Sequence, residues 1–323
     1  MKLAAFEAQG RPRWDRLAAQ LDALELGKGA TEGVDVADWP ALYRQVCNDL
    51  ALARDRQLSS ALVAELNQLA LRGHQLLYQA RAGQWWALGR MLGAAFPRAV
   101  RREWKLVLVC HLIFYSLALG LGAMAYRSPD VIYSFMDETG VREMENMYDP
   151  EHGSVQKGRG AEDDAQMFGF YVWNNVSIAF RTFASGLAFG VGAGASLVWN
   201  ALSLGLVAGH LARAGSAKPF FGFVVAHSAF ELTAMLLAGA AGMRLGLALV
   251  APGPRTRLSA VRAAAGQSLP IISGAALMLV IAAGIEAFWS PRVLPLALKL
   301  SVGGALWTLV ALWLSLAGRA HGD

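Results

Sequence analysis

The side chains able to do chemistry lie mainly in the apolar second half of the chain. Residues 167–213 hold one charge, Arg181, before Arg213, yet the same run carries Asn174, Asn175 and Asn200. Further on stand His227 and Glu231, then Glu286 and Lys299, again inside apolar runs. Asn174 and Arg181 are seven residues apart and His227 and Glu231 four apart, so each pair lies along one helix face. At about 1.5 Å per residue from the outer face, Asn174, Asn175 and His227 fall about 10–12 Å deep, and Arg181, Glu231 and Asn200 about 18–21 Å.

Three kinds of chemistry fit this set. The leading one is structural: an Arg181–Glu231 ion pair with asparagine and histidine hydrogen bonds, because a lone charge in lipid is expensive. The second is a polar cavity handling an ion, a proton or a lipid headgroup, with Glu231 and His227 titrating. The third is a metal site built on the H-x3-E spacing with His210 as an extra ligand. His210, however, sits about 9 Å away in depth, and the zincin pattern H-E-x-x-H is absent. The expectation is therefore no metal and no cofactor. Glu286 and Lys299, about 6 and 12 Å below the outer face, form a second charged pair bridged by the long lysine stem. His111 reads as a packed or interfacial histidine, and His74 with Tyr78 as a surface contact. No phosphate loop, nucleophile elbow or C-x-x-C occurs, so no catalytic residue is assigned.

The elements that must position these groups follow from composition. With 55% hydrophobic and 16% charged residues, the 323-residue chain belongs to the membrane class. Residues 1–166 carry 21 of the 24 acids, leaving Glu231, Glu286 and Asp323 to the rest. The net charge of +5 comes from basic residues at the edges of apolar runs, a topology signal rather than a nucleic-acid patch. Cys47 and Cys110 are the only cysteines and read as plain thiols. The first residues show no apolar run and no cleavage site, so no signal peptide is expected and the chain starts in the cytoplasm.

Within 1–97, apolar residues recur at helical spacing: Trp14, Leu17, Leu21 and Leu24; Leu42, Val46 and Leu50; Leu62, Leu66, Leu69 and Leu77. Three cytoplasmic amphipathic helices follow, with Gly27 to Gly33 as a separator and Asp38 before Trp39-Pro40 as a cap. Trp85, Trp86, Leu88, Met91, Leu92 and Phe96 precede Arg98, Arg101, Arg102 and Lys105, the pattern of a helix in the inner membrane interface. Residues 98–319 read as the transmembrane domain. Its first span is 106–126, followed by an external loop, 127–166, with ten acids and much mobile chain. Later spans are expected near 167–190, 192–212, 219–243, 268–289 and 293–317. Six spans put the loop carrying Arg244, Arg255, Arg257 and Arg262 in the cytoplasm with both termini. Five, with an interfacial helix before 192–212, would put that loop outside. The glycines at 186, 190, 192, 194, 239 and 242 suit close helix packing or a broken, re-entrant helix. The fold expected is all-α, a polytopic transmembrane bundle after a cytoplasmic helical region.

Six pieces in one order carry a family resemblance: YRQVCNDLALAR at 43–54, LNQLALRGHQLLY at 66–78, FPRAVRREW at 96–104, NNVSIAFRTFASG at 174–186, HSAFELTAMLLAGAAGMRLG at 227–246 and EAFWSPRVLPLALKLSVGGALW at 286–307. The set resembles the stage II sporulation protein M family of bacterial integral membrane proteins, over about 40–319. The polar residues chosen by depth fall inside these pieces, apart from Asn200. At Asn200-Ala201 the resemblance implies Asn-Gly, and alanine lacks glycine's freedom for a special turn. The sporulation member implies a membrane component that helps assemble a cell-wall-degrading complex, its hydrolases supplied by partners. The large helical N-terminal region makes this chain more similar to relatives from bacteria that do not sporulate, often associated with AAA+ ATPases and von Willebrand-type domain proteins. The expected function is a non-catalytic scaffold in the bacterial inner membrane, contacting lipid and other proteins, with a homo-oligomer left open and no nucleic acid. The alternative is a small transporter or channel with an intramembrane polar cavity.

Overall fold

Three- and four-residue apolar spacing makes the N-terminal helices, and long apolar runs make most of those that follow. The computed structural model describes residues 3–26, 38–153 and 160–319. The chain forms two compact units, Met1–Gly89 and Arg90–Asp323. The segment 90–97, which the sequence assigns to the N-terminal region, thus belongs with the second.

The first unit holds the three expected helices, α1 (Leu3–Leu26), α2 (Trp39–Asp55) and α3 (Ser60–Arg90). Their apolar faces meet in one core of Trp14, Leu17, Leu21, Leu42, Val46, Leu50, Leu62, Leu66 and Leu69. Trp14 is wholly buried, with its indole laid across Gly10 one turn earlier, where a Cβ would collide with the ring. Its Nε1 donates to Asp49 Oδ2 at 2.9 Å, and Arg13 pairs with the same carboxylate at 2.8 Å. Asp38 does precede α2, but its backbone, at φ −97° and ψ 1°, is not extended and its side chain does not cap the helix. The carboxylate turns to Arg16 and Gln20 instead, each at 2.8 Å. The Gly27 to Gly33 separator, residues 154–159 and the side chains of Leu77, Tyr78 and Trp85 lie outside the described residues.

The second unit begins with a π-helical turn, Met91–Ala95, and α4 (Phe96–Arg102). It continues with α5 (Trp104–Arg127), α6 (Glu138–Met147), α7 (Ala161–Ser185), α8 (Val191–Arg213) and α9 (Ala217–Val224), then α10 (Ser228–Val250), α11 (Arg257–Phe288) and α12 (Leu296–Leu316). Five of these, α5, α8, α10, α11 and α12, are long and apolar enough to cross a bilayer. The chain is a multi-pass membrane protein in contact with lipid.

The sixth length of the bundle is α7. Its first turn holds Glu162, Asp163 and Asp164 and it carries Arg181, so its composition is not that of a span. Its 25 residues nevertheless cover about 37 Å. At one end Asp164 pairs with Arg292 and Phe168 packs on Phe288, with ring centroids 5.8 Å apart. At the other, Thr182 hydrogen-bonds Ser196 and the Gly186 backbone meets Gly242. Its neighbours require this path. Ala118 faces Gly205 and Gly122 faces Gly209, so α5 and α8 run parallel. Two parallel helices need the chain between them to return, and α7 makes that return.

Three expectations are corrected here. The span at 219–243 is broken: α9 has eight residues, and α10 starts after a turn at 225–227. Gly215, at φ +93°, ends α8 with the Ser216 N–H on the Leu211 carbonyl at 2.9 Å. Hydropathy runs unbroken across the turn and could not mark it. Secondly, much of the 127–166 loop is built rather than mobile. A 3-10 turn, Pro129–Ser134, and α6, capped by Asp137 on the Gly140 N–H at 3.1 Å, bury Ile132 and Val141 against Ala125 and Leu206. The acids mask this short apolar set. Thirdly, Phe96 is core rather than interface, wholly buried against Gly274 and 5.2 Å from Trp313 edge-on. Arg98, Arg101 and Arg102 donate to the carbonyls of Gly318, Leu314 and Gln267 at 2.6, 2.8 and 2.8 Å. The first two close the C-terminal end of α12, whose last carbonyls have no partner within the helix.

Candidate functional site

At the end of the bundle marked by Arg292, α10 begins and α11 finishes. His227 occupies the N-cap position of α10, and Glu231 lies in its first turn. The i, i+4 spacing sets them on one face, with His227 Nε2 3.7 Å from Glu231 Oε2. Glu286, in the last turn of the antiparallel α11, adds a carboxylate, and ligand atoms of all three residues lie within 4.8 Å of one another. His227 is buried, and its Nδ1 meets Ser290 Oγ at 3.0 Å. Phe223 of α9 stands edge-on to the imidazole at 5.5 Å. Ser290 is wholly buried, and its carbonyl accepts from Lys299 Nζ at 2.9 Å. The Ser290-Pro291-Arg292 break is therefore a hub: its serine holds the histidine through the side chain and the lysine through the backbone.

The sequence-derived residues separate on this geometry. His227 and Glu231 come together, and Glu286 joins them instead of standing apart in a second pair. Lys299 is buried one residue away, across Ser290. Arg181 is elsewhere: its side chain is exposed and makes no ion pair among the described residues, so the expected Arg181–Glu231 pair is not formed. The depth arithmetic failed because it counted Glu231 from residue 219, across the turn at 225–227, whereas α10 starts at Ser228 and Glu231 lies in its first turn; it also set Arg181 at mid-depth in a span, that of α7, run on to residue 190. The helix ends at Ser185, which leaves Arg181 about one turn from its end, where a long side chain reaches the interface and complements the helix dipole. Asn200 bonds back to the Ser196 carbonyl of its own helix at 2.8 Å, and Ala201 is an ordinary helical residue. Asn174 donates to Asn175 Oδ1 at 3.0 Å, and the buried Asn175 Nδ2 has no partner among the described residues. His111 bonds the Val107 carbonyl on its own helix at 2.7 Å.

Two contacts that sequence reading missed fasten this end. His210 Nε2 meets Glu145 Oε1 at 2.7 Å, tying α6 to the end of α8. Tyr148 packs on Phe220 and Phe223 at 5.2 and 6.1 Å, which brings the acidic segment onto α9. The sequence offered no signal for the first pair, since Glu145 is one of ten acids in its segment. At the opposite end Arg244 approaches Glu103 to 3.4 Å. Cys110 is buried with its Sγ 3.8 Å from Met243 Sδ, and Cys47 is a free thiol in the first unit.

Comparison with known proteins divides the chain as its packing does. The Stage II sporulation protein M family model matches residues 104–291, more than half the chain. A Domain of unknown function (DUF8413) matches residues 4–79. No curated protein and no solved structure matches.

Proposed function

Since the chain belongs to the stage II sporulation protein M family, we propose that it is a non-catalytic assembly protein of a bacterial inner-membrane complex, with its first unit as the docking module. The observation that carries this reading is the first unit itself: a helical bundle with its own core, outside the membrane family's matched region. Orientation supports it. Arg98, Arg101, Arg102, Lys105, Arg244, Arg255 and Arg257 gather at the Glu103 end, and most acids of 127–166 at the other. The positive-inside bias supports a cytoplasmic Glu103 end, and residues 1–89 join the chain just before that end with no apolar span between. The AAA+ ATPases and von Willebrand-type proteins that the resemblance implies are the first partners to look for.

The test is in-cell crosslinking with mass spectrometry on the full chain and on a variant lacking residues 1–89. Crosslinks to cytoplasmic proteins that are confined to 1–89, and lost with it while the membrane unit still inserts, are the expected result. The same partners retained by the deletion variant would overturn the reading. A transporter or channel is the second reading, favoured by the helix break at 225–227 beside a buried imidazole and two carboxylates, since transporter sites are typically built at discontinuous helices.

A further inference from the structure

We propose that His227, Glu231 and Glu286 form a binding site for a divalent transition-metal ion at the junction of α10 and α11. This does not depend on the assembly role.

The donor set comes first. One imidazole and two carboxylates suit zinc, manganese or ferrous iron, and three protein donors leave a coordination position open. The third donor has no local spacing signal, because Glu286 lies 55 residues from Glu231; antiparallel packing of α10 and α11 supplies it in place of His210.

Geometry agrees. The 3.7 Å between His227 Nε2 and Glu231 Oε2 is too long for a hydrogen bond. It is close to the separation of about 3.4 Å that two donors adopt around a tetrahedral ion with bonds of about 2.0–2.1 Å. The imidazole is more than nine-tenths buried. In the tautomer that carries the proton on Nδ1, that nitrogen donates to Ser290 Oγ, 3.0 Å away, and the Nε2 lone pair is left for the ion. A metal-binding histidine is usually oriented in this way by a partner on its far nitrogen. Glu231 keeps 28% of its side chain exposed, so the donors can be reached from outside the bundle.

Charge completes the case. Glu231 sits at a helix N-terminus, which favours an anion, but Glu286 is in the last turn of α11, where the dipole opposes one. Two carboxylates this close in an apolar bundle call for a cation between them. A dication against two carboxylates and a neutral imidazole balances the cluster. The rival is a proton shared by the two carboxyl groups.

The experiment uses full-length protein purified in detergent, freed of its affinity tag and never exposed to chelator. Metal content is read by plasma mass spectrometry, and the apo form is then titrated with Zn²⁺ and with Mn²⁺. About one equivalent per chain is expected. Ser290→Ala should weaken affinity about 10–100-fold, and Glu231→Gln and Glu286→Gln should each weaken it more. X-ray absorption of the loaded wild type gives an answer that needs no variant: a nitrogen and oxygen shell with an imidazole signature and no sulfur. An apo protein that takes up neither metal, or binds no better than the Glu231→Gln/Glu286→Gln double variant, overturns the proposal and leaves the shared proton. A sulfur-containing shell overturns it too, because the ion would then sit at a cysteine.

Discussion

The two units of this chain solve the same packing problem with opposite materials. The first is held by large side chains, Trp14 and a set of leucines meeting at one core, with ion pairs at its surface such as Arg72 with Asp22 and Glu25. Water drives that arrangement, because burying leucine and tryptophan removes them from an unfavourable solvent. The second is held by small residues. Its helices approach backbone on backbone: Gly186 on Gly242, Gly190 on Gly246, Gly205 on Ala118 and Gly209 on Gly122. In lipid an exposed leucine costs nothing, so close approach and satisfied polar groups replace hydrophobic burial as the source of cohesion.

That contrast should be sharpest at glycine. Gly209→Leu places a side chain where the Gly122 backbone lies, with backbone rather than a yielding side chain as the obstacle. Separating α5 from α8 should cost at least the upper end of the about 1–3 kcal/mol usual for overpacking. The expected outcome is loss of the monodisperse peak in detergent size exclusion and a large fall in apparent Tm. A Gly209→Leu protein that runs and melts like wild type would show that the α5–α8 seam is not where the membrane unit gets its stability.

The next largest effect belongs to the other unit and has the opposite sign of size change. Trp14→Ala empties the centre of the first core and removes the indole donor from Asp49. A loss of about 3–5 kcal/mol is expected for such a truncation. Hydrogen exchange on the full chain should show it as accelerated exchange in peptides from α1, α2 and α3, with those from α8, α10 and α11 unchanged. Acceleration spreading equally into the membrane helices would mean that the two units unfold as one.

How much of this was legible beforehand follows the same divide. In the first unit the sequence pattern and the core coincide at Trp14, Leu17, Leu21, Leu42, Val46, Leu50, Leu62, Leu66 and Leu69, because a helix half in water must alternate its faces. In the second unit that alternation is gone. Hydropathy found the apolar helices α5, α8, α11 and α12, but it ran the α9–α10 turn into one span and carried α7 five residues too far. Both errors are register errors along a helix axis, and the site is sensitive to register. His227 and Glu231 were readable because their i, i+4 spacing is local. Glu286 could be joined to them only once the start of α10 and the end of α11 were known to lie at the same level. Ser290, which orients the histidine, carries no signal in composition or period.

Arg181 is where the smallest effect is expected and where it discriminates most. If the arginine paired with Glu231 inside the bundle, Arg181→Leu would leave an uncompensated carboxylate, a loss of about 3–5 kcal/mol, or a fall in Tm of about 6 °C or more for a unit of this size. In the structure Arg181 is exposed one turn from the end of α7, and Glu231 stands with His227 and Glu286. The expected change is therefore within about 0.5 kcal/mol, as for a surface substitution, and the Tm of Arg181→Leu in detergent should lie within about 2 °C of wild type. A large fall would return Glu231 to Arg181 and place both in the structural pairing that the intramembrane charges suggest at first sight. A negligible one leaves the negative cluster at the head of α10 to be balanced by something other than this arginine.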